Sequence, residues 1–448
     1  MSETICALAT PIGGALAIIR ISGPRTLEII SAVSGRKYED AKSHTVHFTR
    51  IKDEKDTVID EVLISLFRAP NSYTGEDSAE ISCHGSSYII NSILGLLVKH
   101  GCRMALPGEY TQRAFLNGKM DLSQAEAVAD LIASTNRASH HVAMSQMRGN
   151  ISTTLSQLRD QLLHLTTLLE LELDFADHEE LEFADRTELL ELTKKIEAHI
   201  EKLIHSFQTG QALKMGIPVA IVGKTNVGKS TLLNRLLKDE RAIVSDIHGT
   251  TRDTIEDTML IRGVQFRFID TAGLRQTTDE VEQIGIQRTY AAIEKASIVL
   301  WLIESAPSEE EVLDMQKRCE GKQLLVIQNK IDKNEDLSIF HLPSSIFKIS
   351  AKHGTNIDAL EQSIYDAANI PELNESDTIV TNARHYEALC NALTGLQRVE
   401  QGLSSNTPCD LIAEDLRLVL TSLGEITGGT ITSQETLNNI FKNFCVGK

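Results

Sequence analysis

Positive charge is scarce in this chain. Its 448 residues hold 44 Lys and Arg against 62 Asp and Glu, a formal net charge of −18. A free-standing nucleic-acid binder usually carries a basic face, so this balance argues against one, though not against a small basic patch or a partner that supplies it. Metal knuckles and redox pairs are missing as well. The seven cysteines, Cys6, Cys83, Cys102, Cys319, Cys390, Cys409 and Cys445, never fall within four residues of one another. Neither zinc-finger spacing nor a CxxC pair therefore occurs, and scattered thiols fit a reducing cytoplasm. The opening residues 1–14 lack the basic start and apolar run of a secretory leader. No apolar run approaches the roughly 18 residues that a membrane span needs. What is present, 42% hydrophobic and 24% charged residues, suits several packed cores and excludes disorder over most of the chain. At roughly 150 residues per domain the expectation is about three domains.

Texture divides the chain. Residues 1–118 carry short strand-like runs such as Leu16–Ile21 and Val62–Phe67, broken by turn clusters such as Asn71–Gly75 and Pro107-Gly108; they read as an α+β domain. Glycine then nearly vanishes. Ile151, Leu155, Leu158, Leu162, Leu165 and Leu169 recur at spacings of 4, 3, 4, 3 and 4, an apolar seam along one helix face. Between Glu170 and Glu201 twelve acidic residues face three basic ones, either a solvated helix face or a surface that repels phosphate. From 216 to 371, strands at Pro218–Val222, Val264–Ile269, Ile298–Ile303, Leu324–Gln328 and Ile346–Ser350 alternate with helical stretches. That alternation predicts a mostly parallel sheet covered by helices on both faces. Helix returns over 372–448. The architecture expected is a multi-domain α/β and α protein, with an α/β domain inserted into a helical domain whose halves are 119–215 and 372–448.

The strongest motif is Gly223-Lys224-Thr225-Asn226-Val227-Gly228-Lys229-Ser230, set between an apolar strand and the helical run Thr231–Leu237. This is the G-x-x-x-x-G-K-[ST] phosphate loop in its strand–loop–helix setting. Its glycines let successive N–H groups turn toward phosphate oxygens, and the helix N-terminus adds partial positive charge. Lys229 is expected to reach the β- and γ-phosphates, and the Ser230 hydroxyl to ligate Mg²⁺.

Three more elements follow in order, each at a strand end. Asp270-Thr271-Ala272-Gly273 offers a carboxylate to Mg²⁺ through water and an amide to the γ-phosphate. Asn329-Lys330-Ile331-Asp332 offers a carboxylate to guanine N1–H and the 2-amino group, a pair that adenine lacks. Ser350-Ala351-Lys352 would set a backbone amide on the guanine oxygen. The nucleotide expected is GTP. After Gly273 stands Leu274, which can neither donate to nor accept from an attacking water. Arg252 and Arg275 lie in the neighbouring segments, and neither is assigned catalysis on sequence alone.

Residues 216–370 resemble a translation-factor-related GTPase domain, and Ser245-Asp246-Ile247-His248-Gly249-Thr250-Thr251 is similar to the switch I of a narrower group. Nearly the whole chain resembles the tRNA-modification GTPase family MnmE, also called TrmE. The resemblance implies GTP contacts along Asn226–Thr231, Ser245–Thr251 and the three later motifs, with Thr251 as second Mg²⁺ ligand and γ-phosphate sensor. It also implies K⁺ in the place of an arginine finger, held by Asn226, Ser245, Ile247 and Thr250. Glu282, which by itself reads as a solvated carboxylate beside Asp279 and Glu280, would orient water, completing a catalytic set with Lys229 and Thr251.

The N-terminal match rests on Ile18–Pro24, Pro70–Asp77 and Pro107–Lys119, while Pro11–Ala15 is shorter and less glycine-rich than the usual family opening. It implies a folate-binding domain for a 5-formyltetrahydrofolate-type donor, contacted by Arg20, Glu80, Lys119 and Lys448; each alone also reads as a surface ion pair. The ending Cys445-Val446-Gly447-Lys448 resembles the family's Cys-x-Gly-Lys tail. The family further implies a homodimer formed through the N-terminal domains. An FAD-dependent partner (MnmG, also called GidA) would complete a heterotetramer, with tRNA gripped mainly by that complex. The product would be a carboxymethylaminomethyl-type group on carbon 5 of the wobble uridine. Two rivals remain. An RNA-binding ribosome-assembly GTPase would need a basic RNA module, which the helices after Pro371 do not show. A membrane-remodelling GTPase would need a basic amphipathic helix, and the helices here are acidic.

Overall fold

The computed structural model describes residues 3–174, 186–238, 257–269, 282–333, 346–370, 377–405, 407–429, 437, 440–442, 444 and 447. It divides into two compact units. One comprises 1–133, 146–200 and 387–448, the other 134–145 and 201–386.

The first unit begins with β1 (Ile5–Leu8), β2 (Leu16–Ser22), α1 (Thr26–Ser34), β3 (Thr45–Lys52), β4 (Val58–Phe67), β5 (Ser78–His84), α2 (Ser87–Lys99), β6 (Arg103–Met104), α3 (Glu109–Leu116) and α4 (Leu122–Ala133). The strands form one sheet in the order β3-β4-β5-β2-β1-β6, antiparallel except for the β1–β6 pair. Period-two patterning sets its faces. Ala17, Ile19 and Ile21, with Val62, Ile64, Leu66, Ala79 and Ile81, are buried against Ile29 and Ile30 of α1 and Ile90, Ile93 and Leu97 of α2. Each fully buried isoleucine contributes roughly 1.5–3 kcal/mol. The alternate residues Arg20 and Glu80, paired across β2 and β5, point to the opposite face.

The two longest N-terminal signatures close on each other. Glu76 accepts from Arg113 at 3.0 Å and from the Ser22 hydroxyl at 2.8 Å. Asn117 Nδ2 donates to the Thr74 carbonyl at 2.7 Å. Arg113 also reaches Glu109, which takes a second guanidinium from Arg103 and the Leu106 amide. Glu109 is only 7% exposed. Burial alone would raise its pKa, but the two arginines and the amide hold the carboxyl below its ordinary range.

Helix α5 (Arg137–Met147), α6 (Asn150–Asp174) and α7 (Arg186–Met215) come next. The apolar seam lies on α6, with Ile151, Leu155, Leu158, Leu162, Leu165 and Leu169 all buried. Of the acidic stretch, residues 175–185 lie outside the described residues.

The second unit holds β7 (Ile217–Val222), α8 (Lys229–Lys238), β8 (Asp257–Ile261), β9 (Val264–Phe268), α9 (Glu282–Lys295), β10 (Ile298–Ile303), α10 (Glu309–Arg318), β11 (Gln323–Gln328), β12 (Ile346–Lys348) and α11 (Ile357–Ala367). Its sheet runs β12-β11-β10-β7-β9-β8 and is parallel except at the β8 edge. Central β10 is buried on both faces, as a covered parallel sheet requires. Strand β8 was not among the strands expected from sequence; only Met259 and Ile261 of its five residues are buried, so its apolar signal is short. A second finding concerns α5. Ala138 and Val142 enter the core of this unit with Leu213, Ile217 and Phe266. Helices α12 (Ala383–Ser404) and α13 (Cys409–Thr427) follow, and α13 packs on α6.

Candidate functional site

The phosphate loop leaves β7 at Val222 and enters α8 at Lys229. Val227 is buried and anchors the turn, while Asn226 is exposed at φ 62°. Gly228 adopts φ 102°, and a Cβ there would collide with the amide of Asn329, so only glycine fits. Lys229 Nζ donates to the Gly223 carbonyl at 2.6 Å and to the Lys224 carbonyl at 2.9 Å. The lysine thus lies folded over the loop whose amides it would share with phosphate. Burial lowers its pKa, so an incoming anion would restore stability to its charged form. Ser230 and Thr231 occupy the first turn of α8, where the helix dipole favours anions.

The base-recognition motifs converge on this loop at the carboxyl ends of the parallel strands, the position where open α/β sheets bind ligands. Asn329 is 2% exposed. Its Nδ2 donates to the Val227 carbonyl at 2.8 Å, and its Oδ1 accepts from the Ala351 amide at 3.0 Å. One side chain therefore joins the phosphate loop to the 350–352 segment. Asp332 accepts from the buried Ser350 hydroxyl at 2.6 Å. That bond, helped by His353 at 3.8 Å, holds the Asp332 carboxyl below the usual range. Lys352 is exposed. The Asp332 carboxylate is thus favoured in its ionised form, the form that can accept N–H donors.

Sequence reading missed two further acids. Glu304 pairs with Lys330 at 2.6 Å, and Glu311 pairs with Lys224 at 2.6 Å while capping α10 through Ser308. Glu304 had a signal: it is the first polar residue after the apolar run of β10, at a strand's carboxyl end. Glu311 had none beyond the capping pattern Ser308-x-x-Glu311.

Ser245, Asp246, Ile247, His248, Gly249, Thr250 and Thr251 lie outside the described residues, as do Asp270, Thr271, Ala272, Gly273, Cys445 and Lys448. Glu282 is the first residue of α9. For Mg²⁺ and K⁺, the described candidates are the Ser230 hydroxyl and the Asn226 amide oxygen, and hard oxygen donors of this kind suit both cations.

A second cluster forms in the first unit. Arg20 donates to Glu80 Oε1 at 2.9 and 2.7 Å. Its guanidinium lies 5.8 Å from the Tyr73 ring centroid and 5.7 Å from that of Tyr110. Its remaining nitrogen Nη1 donates to the Gly447 carbonyl at 3.0 Å, which brings the chain's last described residue to this face. Gly447 sits at φ 91°, and a Cβ there would stand 2.9 Å from Ala9 Cα. Lys119 Nζ donates to the Pro70 carbonyl at 3.0 Å, so it meets the same 70–77 segment that supplies Tyr73. A carboxylate, a guanidinium and the exposed ring of Tyr73, with Tyr110 buried behind Arg20, could meet a pterin-type ring, which presents N–H groups and a π face.

The family model described as GTP-binding protein TrmE N-terminus matches residues 4–119, and the MnmE helical domain model matches residues 122–445. The tRNA modification GTPase MnmE of Phocaeicola vulgatus is 53% identical, covering 100% of this chain and 99% of its own length. The proteins of the same description from Bacteroides thetaiotaomicron and Flavobacterium psychrophilum are 51% and 50% identical, each with 100% of this chain and 99% of its own length covered. Identity at that level along the full length leaves one assignment: the chain belongs to the MnmE family of tRNA modification GTPases.

Proposed function

We propose that this chain is a potassium-stimulated GTP hydrolase. With an FAD-dependent partner of the MnmG kind it adds a carboxymethylaminomethyl-type group to carbon 5 of the wobble uridine in certain tRNAs. The observation that carries the GTPase reading is the Asn329 side chain bonded at once to the phosphate loop and to the Ala351 amide. That arrangement supports a reading in which phosphate and base are recognised in one frame.

In this reading Lys229 exchanges its two carbonyl partners for β- and γ-phosphate oxygens, and the amides of Val227–Thr231 bind the same phosphates. Asp332, held ionised by Ser350, accepts from guanine. Ser230 with Thr251 would hold Mg²⁺, and Asn226 with Ser245, Ile247 and Thr250 would hold K⁺. Held there, the cations would neutralise charge on the phosphate oxygens. Glu282 would orient the attacking water. Arg20, Glu80, Lys119 and Lys448 would bind a 5-formyltetrahydrofolate-type donor. Glu80 takes pterin N–H groups, and the cations take carboxylate or formyl oxygens. The working assembly is a homodimer joined to the FAD-dependent partner as a heterotetramer in the cytoplasm. The partner supplies most of the grip on tRNA, as a chain of net charge −18 would need. Among the described residues no helix is long and apolar enough to cross a membrane.

Two measurements test this. GTP turnover by the full chain should rise sharply when sodium chloride is replaced by potassium chloride; equal rates refute the cation assignment. Nucleoside analysis of tRNA from a deletion strain should show wobble uridines lacking the carbon 5 group. An unchanged profile refutes the tRNA assignment.

A further inference from the structure

We propose that Gln265 is a positioning residue for GTP hydrolysis, clamped by Thr135 and Asn136 so that strand β9 keeps its register against β7, the strand that runs into the phosphate loop. The inference rests on the reading of this unit as a GTPase. Gln265 is the second residue of β9, paired with Leu260 of β8. Its Oε1 accepts from the Thr135 hydroxyl at 2.8 Å and from Asn136 Nδ2 at 3.3 Å. Asn136 is 8% exposed, and its own Oδ1 accepts the Ser139 amide at 2.9 Å, which caps α5. The cap and the clamp are thus one side chain.

The neighbouring turn is held as well. The Ala138 amide donates to the Gly263 carbonyl at 3.2 Å, and the Arg262 guanidinium lies 5.4 Å from the Tyr365 ring centroid. With Ala138 and Val142 in the core, the start of α5 is bolted to the β8–β9 hairpin. That hairpin, Asp257–Phe268, is the covalent link between the 245–251 segment and the 270–273 segment.

A strand transmits position well. It is nearly inextensible at about 3.3 Å per residue, and a one-residue slip reverses every side chain. Strand β9 pairs in parallel with β7, Val219 opposite Phe268, and the Ile269 amide donates to the Val219 carbonyl at 3.0 Å. Because β7 itself runs into the phosphate loop, the β7–β9 register sets the height at which the chain reaches Ile269 relative to Gly223. Reaction geometry tolerates little error of this kind, since misplacement by about 1 Å can cost on the order of 100-fold in rate. Gln265 touches neither nucleotide nor the reacting atoms, and acts through the strand.

The test measures kcat and KM for GTP, GDP affinity and thermal unfolding in the full-length protein with Mg²⁺ and potassium chloride. Gln265→Leu removes the acceptor oxygen. Gln265→Glu keeps it, since both clamp bonds are donated to Gln265. We expect kcat to fall at least fivefold in Gln265→Leu, with GDP affinity within twofold, and to return to within twofold of the parent in Gln265→Glu. Thr135→Val, which removes one donor from an exposed position, should lower kcat at least twofold. It carries the test alone if Gln265→Leu does not fold. Parental kcat in the folded variants overturns the clamp, and so does a parallel fall of GDP affinity and melting temperature that Gln265→Glu fails to reverse. A parent protein that does not hydrolyse GTP at all would instead overturn the GTPase reading.

Discussion

Asn329 donates to the carbonyl of Val227 at 2.8 Å, across a sequence separation of 102 residues. The phosphate loop and the Asn329–Asp332 motif are therefore not two separate surfaces, but one framework pinned by a buried amide.

Removing that pin should be felt in binding. Asn329→Ala leaves the Val227 carbonyl and the Ala351 amide without their partner, and an unpaired buried polar group costs about 1–3 kcal/mol. Two such losses, about 3 kcal/mol together, correspond to a drop in GDP affinity of roughly 150-fold. Fluorescent-nucleotide titration reads it directly. A change below about fivefold would show that the two loops are held in place by other contacts.

Guanine recognition should have its own acid limit. Asp332 has a pKa lowered first by the Ser350 hydroxyl. A carboxylate with a depressed pKa stays charged as pH falls, until its own lowered value is passed. GTP affinity should therefore persist below the pH at which an ordinary aspartate protonates. Ser350→Ala should move the loss of affinity to higher pH. Asp332→Asn should shift preference from guanine to xanthine nucleotides. Affinity profiles of the three proteins against pH decide the matter, and superimposable acid limbs for the parent and Ser350→Ala would contradict it.

The N-terminal ion network predicts a pH dependence of stability. Glu109 is depressed below its ordinary value of 4.5 by Arg103, the Leu106 amide and Arg113, against the opposing effect of burial. A lowered folded-state pKa stabilises fully above the unfolded value and is lost as pH falls through the folded value. Thermal stability of the first unit should thus hold at neutral pH and decline only in acid. Glu109→Gln should cost about 2 kcal/mol at neutral pH, because it weakens charge-assisted bonds from Arg103 and Arg113, which keep Glu3 and Glu76 as partners, and should flatten the acid limb. Melting curves between neutral pH and pH 3 test both statements.

Much of this was legible in residue order because the chemistry is local. The phosphate loop, the strand ends bearing Asn329–Asp332 and Ser350–Lys352, and the seam from Ile151 to Leu169 each announce themselves within a short window. What escaped was set by distant partners. Strand β8 offers two buried apolar residues in five, too few for a period to show. Ala138 and Val142 sit one helical turn apart in a polar helix, and nothing in that spacing says which core they enter. Lys119 was expected at one folate site with Arg20 and Glu80; it donates to the Pro70 carbonyl, a backbone group that no residue pattern encodes.

The bond from Arg20 to the Gly447 carbonyl spans 427 residues. During synthesis Arg20 leaves the ribosome long before its partner is made, while every segment of the second unit, 134–145 and 201–386, has already been translated. The Arg20 guanidinium must therefore wait, with Glu80 as its provisional companion, until residue 447 has been made. Assembly order is written into the fold: the nucleotide-binding unit can close first, and the face that collects the tail is finished last.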